Sequence, residues 1–279
     1  MNKKFFKAAT LTMVGTTALA IIVSYLYLLL GMKIANGDNM LAFLSTLETI
    51  FDYVQLSVGF ATVVYAFAKF DFNDALKVLG VFATTVFAYA IIVMIPTGIY
   101  VNSLDYYGAD FYYEFNAYIN TVFFSFGNVL VCQVAPAAMM GAIMWKHTKE
   151  RKPAPRKLIS WKNPTQRGMI ISCLSLALFN FVVRCLTEFS VLGELIKLKH
   201  VFGPVDETVK SVLLALLSVF LNCLIFNIII MYLVCFFAYK IYDYISYENP
   251  NLKAKTTEAD SDDEAEDKKA KKKATSKKK

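Results

Sequence analysis

Residues 211–239, SVLLALLSVFLNCLIFNIIIMYLVCFFAY, lie between Lys210 and Lys240 and contain no charge. An α-helix needs roughly 20 apolar residues to cross about 30 Å of hydrocarbon, and this run is longer than that. Leu224 to Phe237 is apolar nearly all round, whereas a membrane β-strand alternates apolar and polar residues over about ten positions. In lipid each backbone polar group must find a partner inside the segment, which a continuous helix supplies. The stretch therefore reads as a transmembrane helix.

The same signature recurs outward along the chain. No residue is charged between Lys7 and Lys33, between Lys77 and Asp105, or between Glu114 and Lys146. Two shorter runs, Asp52 to Lys69 and Arg167 to Arg184, must each keep a charge near one end of a span. Hydrophobic residues make up 57% of the 279, against roughly 45–50% in soluble proteins. The fold class expected is an all-α integral membrane protein. Residues 1–248 form a bundle of about six transmembrane helices near 8–32, 50–69, 77–99, 119–145, 168–190 and 211–240. The first run follows Lys3, Lys4 and Lys7 as a signal peptide would. It continues through Met32, well past a signal core of 7–15 residues, and reads as a retained anchor.

Orientation follows from Lys and Arg near the span ends, which stay preferentially cytoplasmic. Lys3, Lys4 and Lys7 precede the first span, Lys69 and Lys77 bracket the second connection, and the stretch from Lys146 to Arg167 holds eight basic residues, those two included. The alternate connections hold Lys33, no basic residue over 99–118, and Lys197, Lys199 and Lys210. Both termini are expected in the cytoplasm, with the plasma membrane as the expected location. The opposite face carries Tyr106, Tyr107, Phe111, Tyr112, Tyr113 and Phe115 with Asp105, Asp110 and Glu114. These residues suit an interfacial aromatic belt or a docking surface.

Chemistry-bearing residues are few. Asn180, Arg184 and Glu188 are spaced by four and share a helix face, as do Glu48, Asp52 and Gln55 at spacings of four and three. An ion pair from Arg184 to Asp52 or Glu48 is the expected tie between the second and fifth spans, since unpaired charge in lipid is costly. Snorkelling of Arg184 to the headgroups and a substrate site are the other readings. In the fourth span Gly127, Pro136 and Gly141 accompany a polar strip of Asn128, Cys132 and Gln133, so a kink at Pro136 is expected. Pro96 in the third span is expected to end that helix. The five cysteines, all inside spans and without a CxxC pair, read as small apolar fillers. No HExxH, GxSxG or P-loop occurs, so neither an enzyme nor a cofactor or metal site is expected.

The tail, 249–279, runs from EADSDDEAED at 258–267 to KKAKKKATSKKK at 268–279. Such a segment cannot bury apolar surface and is expected to be disordered. Lys268 to Lys279 offer contact to anionic lipid, or to RNA or an acidic partner; a solvated tail is the simplest reading. The function expected from the whole is a non-catalytic subunit of a multi-component membrane transport, secretion or assembly complex, with the lipid bilayer and other subunits as its partners. The alternative is a self-sufficient channel or carrier for a small solute.

Overall fold

The computed structural model describes residues 3–31, 39–105, 111–148, 161, 163–202, 214 and 216–246; side chains at 31, 39, 41, 101–115 and 187–202 fall outside that description. Nearly all the described residues are helical, and six of the helices are long and apolar enough to cross a membrane. The protein is accordingly an all-helical, multi-pass membrane protein. The tail 249–279, the basic connection over 149–160 and the aromatic connection 106–110 lie outside the described residues.

The first two helices are α1 (Lys3–Gly31) and α2 (Asn39–Lys69). Helix α3 runs α-helically over Phe72–Tyr89, passes through a π-helical Ala90–Met94 and continues as Ile95–Asp105. Helix α4 is built the same way, from Phe111–Val129, a π-helical Leu130–Val134 and Ala135–His147. Helix α5 covers Pro164–Phe202. The apolar helix α6, Leu216–Ser246, contains a π-helical Cys223–Ile230 followed by α-helical Met231–Ser246.

Two irregularities trace to proline. Pro96 has no N–H for the carbonyl of Ile92, and its ring crowds that carbonyl. The chain answers with wider π turns over Ala90–Met94, where the Ile95 N–H reaches the Ala90 carbonyl, and then stays helical to Asp105. Pro96 thus does not end α3 as expected; the π turns absorb the clash. Pro136 acts likewise on Cys132, and the irregularity expected in α4 appears as π turns over Leu130–Val134. Nothing in the sequence of α6 explains its π turns, since residues 216–246 contain neither Pro nor Gly.

Helix α5 begins where the Asn163 side chain accepts a hydrogen bond from the Thr165 N–H at 3.0 Å, with Pro164 at the first helical position. It continues to Phe202, twelve residues past the end expected near 190. No proline stands in its way before Pro204.

The bundle is organised around α2, which packs against α1, α3, α4 and α6. Its second half is lined with small buried residues, Gly59, Ala61, Ala66 and Ala68, and small residues let helix backbones approach closely in lipid. The Phe82 ring lies against Gly59, and the Phe67 ring lies against Gly141 of α4. The main core gathers where the start of α1, the end of α2 and the end of α6 meet; we call this the basal end. There Phe5 stacks near Tyr65 and Tyr242, with centroids 5.0 and 5.2 Å apart. Thr62 and Tyr242 hydroxyls lie 2.9 Å apart, the Tyr65 hydroxyl donates to Ser246 at 3.2 Å, and Lys69 pairs with Asp243 at 2.8 Å. Elsewhere Thr12, Thr16, Thr46, Thr62 and Thr84 each donate to the carbonyl four residues back, so their hydroxyls need no water.

Candidate functional site

Toward the opposite, distal end the packing gives way to two polar clusters. Their depth follows from the helical rise of 1.5 Å per residue. Asp52 lies 17 residues from Lys69, Tyr89 lies 17 from Phe72 and Arg184 lies 20 from Pro164, or about 25, 25 and 30 Å from the basal end. Both clusters therefore sit near the distal edge of a hydrocarbon layer about 30 Å thick.

The first cluster joins α1, α2 and α3. The Tyr89 hydroxyl donates to Asp52 Oδ1 at 2.8 Å and lies 3.1 Å from the Ser24 hydroxyl. Ser24 also lies beside Glu48, and one turn deeper Gln55 Nε2 donates to Thr17 Oγ1 at 3.1 Å. The shared face of Glu48, Asp52 and Gln55 is therefore turned toward α1 and α3. Tyr25 donates to the Ile92 carbonyl at 2.5 Å, the group that Pro96 deprives of its helical donor. The proline, the π turns and a tyrosine of another helix thus form one arrangement. Chemically, the order Glu48, Ser24, Tyr89, Asp52 is two carboxylates bridged by two hydroxyls. Such a chain can hold a proton or pass one between its ends.

The second cluster joins α4, α5 and α6. Arg184 lies within electrostatic range of Cys132, inside the π turns of α4, and of Cys223, at the start of those in α6. Cys223 is also in electrostatic range of Cys185 and hydrogen-bonds with Asn227. Asn180 and Gln133 are half-buried, while Asn128 and Arg184 are exposed on the helix surface. Leu178, Val182 and Leu186 are exposed as an apolar stripe on the side of α5 away from Arg184.

The expected tie from Arg184 to Asp52 or Glu48 is not made: among the described residues neither acid forms an ion pair with it. The acids face α1 and α3, whereas the guanidinium faces α4 and α6. The side chain of Glu188 lies outside the described residues. Reading the sequence identifies the acids and the arginine but misses Ser24, Tyr25 and Tyr89, which lack charge and look like ordinary residues of an apolar run. Pro96, four residues after Ile92, is the one available signal that a carbonyl there needs an outside donor. Among the described residues no three His, Cys, Asp or Glu side chains come together to hold a metal ion.

No known protein family, characterised protein or solved structure matches the chain.

Proposed function

We propose that the chain is a non-catalytic subunit of a multi-component transport, secretion or assembly complex of the plasma membrane, with both termini in the cytoplasm. The observation that carries this reading is Arg184. Its side chain is exposed on an α-helix that the sequence reads as membrane-spanning, and it has no ion pair among the described residues. A cation on a lipid-facing surface near the edge of the hydrocarbon gains from a counter-charge, and a carboxylate on a neighbouring subunit would supply one that no described residue of this chain supplies. The orientation rests on the basic residues flanking the spans; the lysine-rich tail then offers a second contact in the cytoplasm.

The test is purification in mild detergent with and without residues 251–279, and from an Arg184→Leu variant. A stoichiometric partner, weakened by either change, is expected. A chain that purifies alone in all three forms sinks the reading.

A self-sufficient carrier for a small solute is the second reading. It is favoured by the π turns in α3, α4 and α6, which lie beside the polar clusters; such turns recur at functional sites. Under this reading Arg184→Leu abolishes flux into vesicles while the protein stays inserted and stable. Unchanged flux through a stable variant removes Arg184 from any such path.

A further inference from the structure

All five cysteines of the chain lie on α4, α5 and α6, and four of them form a repeated pattern. On α5, Cys173 and Cys185 are twelve residues apart; on α6, Cys223 and Cys235 are also twelve apart. The two helices pack against each other in opposite directions. Cys173 therefore meets Cys235, with their thiols hydrogen-bonded, and Cys185 comes near Cys223. The result is two sulfur rungs about 18 Å apart along α5. Cys173 lies nine residues from Pro164, so the inner rung sits about 14 Å into the layer, close to its middle.

The inner rung is fully enclosed: Cys173 is 0% exposed and Cys235 is 1% exposed. Thioethers flank it. Met169 stands one turn before Cys173 on the same face of α5, and Met231 stands one turn before Cys235 on α6. Because the helices are antiparallel, one methionine lies on the basal side of the rung and the other on its distal side. Both are buried, as is Met140 of α4, whose carbonyl accepts a hydrogen bond from Ser172 at 3.1 Å.

We propose that Cys173 and Cys235 form an intramembrane binding site for a soft monovalent cation of the Cu(I) or Ag(I) type. Thiolate and thioether donors select such ions, whereas Mg²⁺ and Ca²⁺ take oxygen. Zinc takes four ligands, usually with nitrogen or further thiolates among them, which this rung does not supply. Charge sets the valence. One thiol loses its proton to solvent as its sulfur bonds the cation, M⁺ + RSH → RS–M + H⁺, and the second thiol and the thioethers donate as neutral groups. The loaded site then carries no net charge, as a dry interior requires. No electron changes hands.

The experiment uses the full-length chain in detergent with Ag(I) as the probe, in a Cys132→Ser/Cys185→Ser/Cys223→Ser background. One equivalent of Ag(I) should bind and release one proton. Cys173→Ser or Cys235→Ser should weaken binding at least about 100-fold, whereas Cys173→Met, which keeps a sulfur donor, should stay within about tenfold. Equal affinity in the serine variants overturns the proposal, as does an absence of Ag(I) binding in the background protein. If the variants do not fold, wild-type protein loaded with one equivalent is fragmented in a native mass spectrometer. Silver on fragments holding Cys173 or Cys235 supports the site, and silver found only with the other three cysteines refutes it.

Discussion

The ion pair between Lys69 and Asp243 invites a quantitative test. Its atoms are 2.8 Å apart and its side chains are 10% and 22% exposed, so it is mostly withdrawn from solvent. At that distance, with an effective dielectric of about 20, the gross attraction is about 6 kcal/mol, and desolvation offsets much of it. Removing one partner leaves the other charge poorly solvated. Lys69→Met and Asp243→Leu should each cost about 3 kcal/mol, the lower end of the range for breaking a buried pair. Lys69 also lies 5.2 Å from the Tyr239 ring centroid, so its loss should cost about 0.5 kcal/mol more than that of Asp243. Combining the two should cost roughly what either does alone, a coupling of about 3 kcal/mol. Unfolding by SDS in mixed micelles, followed by circular dichroism, measures all four proteins. Costs that add to within about 0.5 kcal/mol would show that the two charges act independently, and would refute the reasoning.

The same assay serves three further tests. A Cβ added at Gly141 would lie 2.5 Å from Phe67 Cδ2 in the packed core, so Gly141→Ala should cost about 1–3 kcal/mol; Phe67→Leu in the same protein should recover most of it. Tyr89→Phe removes the donor to Asp52 and should cost about 1–3 kcal/mol, whereas Tyr89→Phe with Asp52→Leu should cost less, because the carboxylate is then not left unmet and Ser24, which also loses Tyr89, keeps Glu48. Tyr25→Phe should cost about 1 kcal/mol in the natural chain. In a Pro96→Ala background it should cost almost nothing, since an alanine there can offer Ile92 the N–H that proline cannot; an unchanged cost would mean that the π turns do not originate at the proline.

The six helices are legible in the sequence because charge-free runs such as 211–239 have one economical solution in lipid. The irregularity in α4 is legible for a similar reason, since Pro136 leaves a carbonyl without its donor. Helix ends are harder. Pro96 reads as a terminator, whereas the chain has a second response, a widened turn that keeps the helix going. The change from apolar to mixed residues suggests an end for α5 near 190, but hydropathy marks where a membrane stops and not where a helix does. The site is only half visible. Glu48, Asp52 and Arg184 are conspicuous as charges in apolar surroundings, but spacing within one helix says nothing about which neighbour that helix faces. Tyr89 and Ser24 acquire their role only when α1 and α3 are laid beside α2.

The basal end has a temporal consequence. Thr62 and Tyr65 take their hydroxyl partners from residues 180 and 181 positions later in the chain, and Lys69 waits for Asp243 in the same way. At about 5–20 residues per second of synthesis, α2 stands for roughly 10–35 s before α6 has been translated. During that interval Lys69 and Tyr65 face lipid or water without Asp243 and Ser246, while Thr62 already donates to the Val58 carbonyl. The nascent bundle must be tolerated half-finished, or be sheltered by whatever machinery inserts it, and α6 acts as the latch that closes its basal end.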